Sequence, residues 1–480
     1  METLSNINDT LVAPFGLLPV ILGMSLAALV IAMEWWKRPP EIPLTGKAFS
    51  SILCIVFISL AVMFALLLSK TANWGGSDGH FTRAINIVEH GVFGDGQSRN
   101  ALFPPGYTFL IVPLVEAIGA SRWAFFIVNI ALLLLATLSF RYFLLRLHLP
   151  QNLANLLALL LFIYPNRLLS TLLPFSDVPF SLVWGAAFAF LVLATFEERP
   201  LPYIAAAGAL AGVAALIRSN GLPLLVPLAA GILLRPAPWK ARAQRIGAFA
   251  GAAILVITPW LARNYSLFGK IIPVANNGGI NLSIGNNPSN PLTWNRYIDS
   301  VWQSPVAWAQ VGGMHWNEAQ RDSFFGALAV DYIADHPQVF LDSGLRRVGR
   351  TFGADTYNFG MLETYTNARV VTFQVLTHAD AVPSVSRIAH SLYRTFYALL
   401  LILNNALYYA LMTLSLYLLM FHRSLARPIR WSFILTALIV CTMIFMTMGL
   451  SRYKEPLNAV MLVFLAVNMS RFAPRTAREP

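Results

Sequence analysis

The sequence predicts an all-α polytopic membrane protein. It reads as a bundle of about eleven transmembrane helices, with re-entrant or juxtamembrane helices in the first external loop and an external α-rich subdomain. Three observations carry this. The 480 residues are 57% hydrophobic and 12% charged, with a mean hydropathy of +0.61, whereas about a quarter of a soluble globular chain is charged. Apolar runs near the length a membrane helix needs, about 20 residues, recur along the chain. The Lys and Arg behind the net charge of +12 sit in short loops between those runs, where membrane orientation places them. That distribution argues against nucleic acid as a partner.

Taken in order, the runs lie near 15–35, 48–69, 123–144, 152–170, 178–196, 202–217, 220–234, 247–262, 395–420, 431–449 and 456–470. The start, "METLSNINDT", lacks the basic n-region of a signal peptide, so the first run is expected to stay as a span. Residues 1–47 are then an extra N-terminal transmembrane helix and a cytoplasmic loop. A further run, 107–120, holds Pro113 and Glu116 and is short. If it does not cross, Lys37, Arg38, Arg141, Arg146, the 235–245 cluster, the 423–430 cluster and the 471–480 tail all share one side. If it crosses, the later clusters face outward. It therefore reads as re-entrant or surface-lying, which is tolerated where backbone lines a protein-walled cavity.

This topology divides the chain further. Residues 48–262 form a catalytic transmembrane module with its first external loop at 70–106. Residues 263–394 form the external subdomain, 395–470 the C-terminal transmembrane helices, and 471–480 a basic cytoplasmic tail. Cys54 and Cys441 lie inside apolar runs and read as small core residues. No CxxC, HExxH or P-loop occurs, so structural zinc and ATP-driven transport find no support.

The chemistry-bearing residues fall at the external ends of spans. Asp78 stands in a glycine-rich entry, "GGSDG", before a helical pattern in which Phe81, Ala84, Ile85 and Val88 share a face. Asp78 or Ser77 is also a fit helix cap. Asp177, in "LLPFSDVPF", precedes a span and has the same two readings. Arg218 is a candidate ligand or a snorkelling cation, and Arg263, beside Trp260, a ligand or an interfacial anchor.

"SDGHFTRAINIVEHGVFG" followed by "FPPGYTFLIVPLVEAIGASRWAFFIVNIALL" resembles the first external loop of membrane glycosyltransferases of the GT-C fold. The branch it resembles holds the protein O-mannosyltransferases and the lipid A aminoarabinose transferases. "AGVAALIRSNGLPLL", "TPWLARNYSLFGKIIPVANNGGINLSIGNNP" and "GLSRYKEPLNAVML" resemble later segments of bacterial members, so the likeness runs from about 48 to 470 in order. Two departures stand out: Asp78 is followed by Gly79 where the mannosyltransferases carry an Asp-Glu pair, and the run 15–35 is additional.

The resemblance implies an inverting transferase that takes sugar from a polyprenyl-phosphate donor on the external face of a bacterial inner membrane. Its acceptor would be an envelope glycan, lipid or protein. It implies Asp78 as general base and an acid lining the cavity at Asp177. A phosphate leaving group calls for cations at headgroup level, and Arg83, Arg218, Arg263, Arg452 and Lys454 are so placed; Arg offers phosphate a planar fork. His80, Asn286 and Tyr453 complete the candidate substrate contacts. No cofactor and no metal is expected, since Arg and Lys can offset phosphate charge. Two alternatives remain: a glycolipid mannosyltransferase of another GT-C branch, and a lipid or polysaccharide transporter, which would place ionisable residues inside its spans.

Overall fold

The computed structural model describes residues 44–67, 79–95, 98–288, 317–355, 357–358, 384–421 and 427–470. The first expected span, the basic tail and Asp78 lie outside these.

The chain is all-α apart from one two-stranded hairpin among the described residues. In chain order the elements are α1 (Gly46–Leu67), α2 (His80–His90), β1 (Gly94–Asp95), β2 (Ser98–Arg99), α3 (Gly106–Ile118) and α4 (Trp123–Arg146). Then come α5 (Gln151–Ile163), α6 (Pro165–Thr171), α7 (Asp177–Phe196), α8 (Leu201–Ile217), α9 (Gly221–Leu233) and α10 (Trp239–Phe268). They are followed by α11 (Gly278–Gly285), α12 (Glu318–Asp335), α13 (Pro337–Phe352), α14 (Ser384–Phe421) and α15 (Arg427–Met446). A 3-10 turn, Ser451–Lys454, leads into α16 (Glu455–Ser470).

Every expected apolar run within the described residues falls on a helix. Among the described residues six helices are long and apolar enough to cross a membrane, or seven if α5 and α6, bent by 54°, form one span. α8, α9 and α16 are shorter, at 17, 13 and 16 residues. The bend has a local cause: Pro165 lacks the amide that would continue α5, and it starts α6 in the first-turn position where proline fits. The 13-residue α3 spans roughly 20 Å at 1.5 Å per residue, well short of a bilayer core of about 30 Å.

Packing follows the membrane rule of small residues at contacts. Gly208 of α8 lies so close to the Phe249 carbonyl of α10 that no Cβ fits between them. Large aromatics fill the interior: Phe125, Phe126, Phe162, Trp184 and Phe188 are buried. The opposite surfaces are apolar too. Ile254 and Leu255 of α10 are 62% and 75% exposed, which suits a face turned to lipid.

The first loop is clamped to the bundle. β1 and β2 pair antiparallel, Gly94 with Arg99 and Asp95 with Ser98. The Tyr107 hydroxyl of α3 donates to Asn129 Oδ1 at 2.7 Å, and Asn129 Nδ2 donates to Leu173 O at 2.9 Å. This line of bonds joins the first loop to the segment that opens α7. The start of α7, the end of α8, the residues after α13 and the 3-10 turn converge at one end of the bundle, and the candidate site lies there.

Candidate functional site: an arginine pair around Asp177

Asp177 is the first residue of α7. Its Oδ1 lies 2.9 Å from Arg218 Nη1, and its Oδ2 lies 3.5 Å from Arg452 Nη1. The carboxylate is 5% exposed and the two guanidinium side chains 16% and 11%, so the cluster is reachable but mostly desolvated. Two guanidinium groups share one carboxylate here, and charges held partly out of water interact more strongly than charges at the surface.

Local structure explains the convergence. Arg218 stands where α8 ends, with extended backbone (φ −145°, ψ 134°), and its amide donates to Ala214 O. A cation there also complements the helix C-terminus. Its Nη1 donates to Ser176 Oγ at 3.2 Å, tying the end of α8 to the residue before Asp177. Arg452 sits in the 3-10 turn within reach of three rings: its guanidinium carbon is 4.8 Å from the Tyr357 centroid, 5.3 Å from Phe175 and 5.4 Å from Tyr453. Arg218 lies 5.9 Å from the Tyr453 centroid. Rings around a guanidinium favour the cation and restrict its plane.

The other expected site residues occupy different places. Lys454 is two residues from Arg452 but turned inward: it is fully buried, its Nζ donates to Gly353 O at 3.1 Å and lies 3.6 Å from the Tyr408 ring centroid. His80 is buried, with Nδ1 3.1 Å from Thr108 Oγ1 and edge contacts to Phe103 and Tyr107. Arg83 is buried against Phe103, its guanidinium carbon 4.2 Å from the centroid, and its Nη1 donates to Gly79 O at 3.2 Å. These two side chains fix the start of α2. Gly79, at φ 71°, holds the N-cap position of that helix. The left-handed geometry is one a glycine adopts without strain.

Arg263 clamps the first loop from α10. Its Nη1 donates to Asn100 O at 2.7 Å and its Nη2 to Phe93 O at 3.1 Å, while its guanidinium carbon lies 4.4 Å from the Trp260 centroid. Beside it opens a mainly apolar cavity of about 510 Å³, walled by Phe93, Phe109, Leu216, Val256 and Trp260, with Arg99 and Arg263 also lining it. Leu216, near the end of α8, lines this cavity, which is otherwise walled by the first loop, α3 and α10. Asn286 lies apart, buried where α11 meets α15: its Nδ2 donates to Met446 O at 2.8 Å and its Oδ1 accepts from Arg347 at 3.3 Å. Burial lowers the Arg347 guanidinium to about 10, which keeps it charged at neutral pH. Arg347 also donates to the carbonyls of Phe445 and Gly285.

Sequence reasoning missed Tyr357 and Phe175. Neither has a local signature, because each meets the Arg452 cation from a segment distant in sequence.

No family model matches the sequence, and no curated protein does. Among solved structures the chain is similar to ArnT from Cupriavidus metallidurans in the apo state, at 12% identity over 88% of this chain and 78% of that one, with a TM-score of 0.40. It is similar to the same protein bound to undecaprenyl phosphate, at 13% identity over 89% and 79%, TM-score 0.41. It is also similar to the Archaeoglobus fulgidus oligosaccharyltransferase tethered with an acceptor peptide, at 14% identity over 88% of this chain and 49% of that one, TM-score 0.46.

Proposed function

We propose that this chain is an inverting glycosyltransferase of the bacterial inner membrane. It would move a sugar from a polyprenyl-phosphate donor to an envelope acceptor hydroxyl on the periplasmic face. The observation that carries the reading is the arginine pair around Asp177, set where α7, α8 and the 3-10 turn meet at one end of an apolar bundle. The ordered GT-C motif series supports it independently.

In this reading Arg218 and Arg452 hold the donor phosphate. As the bond from the anomeric carbon to the phosphate oxygen breaks, its electron pair stays on the polyprenyl phosphate, and the growing charge meets two guanidinium groups. The acceptor oxygen bonds to the anomeric carbon from the opposite face, and its proton passes to a carboxylate. By the resemblance that base is Asp78, whose neighbour Gly79 is held by Arg83. Asp177 orients both guanidinium groups before the donor arrives. The apolar cavity beside Leu216 offers isoprenoid units a place out of water.

A second reading, a transporter, has one observation in its favour: Arg167 and Glu455 form an ion pair in the bundle, each 1% exposed. The pair is mutually compensated and fixed by further bonds, which suits a brace better than a moving ion site.

Purified chain in nanodiscs, with a crude envelope acceptor, separates these. Labelled sugar is expected in the acceptor from polyprenyl-phosphate donors and not from nucleotide sugars, with or without EDTA. Incorporation from nucleotide sugars alone contradicts the reading.

A further inference from the structure

The residues on either side of Arg452 are held from the interior. Ser451 Oγ accepts from the Tyr357 amide at 3.3 Å. Lys454 is fixed to Gly353 O. Glu455 Oε2 lies 3.3 Å from Arg167 Nη2, and its Oε1 accepts from Asn166 Nδ2 at 3.2 Å and Asn458 Nδ2 at 3.3 Å. Both members of the Arg167–Glu455 pair are 1% exposed.

Arg167 and Asn166 lie just past the bend between α5 and α6. Arg167 Nη1 also donates to Leu161 O at 3.1 Å, across the break. Tyr164, at the break itself, donates to Asp355 Oδ2 at 3.0 Å. Asp355 is two residues before Tyr357, and its own segment is tied to α14 through Asn404 and Asn405. From α6 the chain runs through Leu173, anchored by Asn129, to Asp177. One bend therefore tethers three parts of the site: Arg452 through Glu455, Tyr357 through Asp355, and Asp177 through its own chain.

A buried ion pair is a poor source of stability. Its desolvation offsets much of its attraction, and a well-packed apolar pair of similar volume serves as well or better. In some folds such a pair instead fixes the register of the segments it joins.

We propose that Glu455, paired with Arg167, is a positioning residue that sets Arg452 against the donor phosphate. This rests on the reading of Arg452 as a phosphate ligand. It adds that the ligand's place is dictated from the helix bend and not by the 3-10 turn alone.

The test uses the full chain in nanodiscs with undecaprenyl phosphate as probe. The double variant Arg167→Met with Glu455→Leu is made in the wild-type and in the Arg452→Ala background. In the wild type it is expected to keep the thermal midpoint within about 5 °C, as apolar replacement of a buried pair permits, and to weaken binding about tenfold. In the Arg452→Ala background the same change is expected to move binding less than twofold. Wild-type affinity in the stable double variant overturns the proposal, as does an equal loss in both backgrounds. If Arg452→Ala alone leaves binding unchanged, the phosphate-ligand reading falls first and the positioning role with it. Should the double variant not fold, Glu455→Gln takes its place in the same cycle with the same binding expectations and a lower thermal midpoint, since it leaves the Arg167 charge without its partner; binding is then read below that midpoint.

Discussion

Asp177 meets Arg218 at 2.9 Å across the start of one helix and the end of another. The same carboxylate reaches Arg452 at 3.5 Å. An acid shared by two guanidinium groups orients them, and it also competes with any anion they bind. Both effects belong to one substitution. Asp177→Asn is expected to tighten binding of undecaprenyl phosphate by up to about tenfold, since a competing charge is gone. It is expected to lower turnover by at least about tenfold, since the guanidinium groups lose their alignment. Separate determination of Kd and kcat checks this. Weaker binding with unchanged kcat would contradict it.

In the proposed reading Arg452→Ala removes charge-assisted bonds to phosphate, worth roughly 1.5–3 kcal/mol. Donor affinity is expected to fall about ten- to a hundredfold. Arg452→Lys should recover only part of it, because a point charge replaces a planar fork held among three rings. Donor KM across the three proteins reads this out.

Arg263 is bound to two loop carbonyls and stacked near Trp260. Arg263→Gln leaves carbonyls of the first loop without their donor, at a cost of about 1–3 kcal/mol. The expected outcome is a thermal midpoint lower by a few degrees, with donor KM changed less than about threefold. A large KM effect without loss of stability would place Arg263 with the phosphate ligands.

Asp322 gives a pH test away from the membrane helices. Burial pushes its carboxyl above the usual value of 3.8, although the amides of Ile280 and Gly279 donate to it and pull the other way. A carboxyl raised on folding binds its proton better in the folded state. Its contribution is therefore complete below the unfolded value and lost as pH rises through the folded one. Asp322→Asn keeps an acceptor and removes the charge. The midpoint of the variant relative to the wild type should rise as pH climbs from below 3.8 toward neutrality. Differential scanning fluorimetry across that range checks the sign.

The helices were legible because apolar runs in a membrane chain have few other solutions. Asp177, Arg218 and Arg452 were each legible as charged residues at span ends. Their meeting was not, because it depends on how three distant segments pack. Lys454 shows the limit from the other side. In the sequence it is equivalent to Arg452, but a 3-10 turn has three residues per turn, so side chains two positions apart point in different directions. One cation faces the site and the other the interior. Arg167 falls within the run near 152–170 and Glu455 just before the run 456–470; their pairing, between residues 288 positions apart, has no local signature. His80 and Arg83 follow Asp78 closely enough to suggest a shared site; in the structure they lock the first loop onto α3 and its own backbone.

In the proposed reading the arginine pair serves a phosphodiester that is cleaved during transfer. Phosphorus NMR follows that cleavage, on the 480-residue chain in nanodiscs with a polyprenyl-phosphate sugar and an envelope acceptor extract. Wild-type protein should convert the donor phosphodiester signal to a polyprenyl monophosphate signal in an acceptor-dependent way. Arg218→Ala combined with Arg452→Ala should slow that conversion by at least about a hundredfold. Equal conversion rates in the folded double variant and the wild type would rule out phosphate binding by the arginine pair.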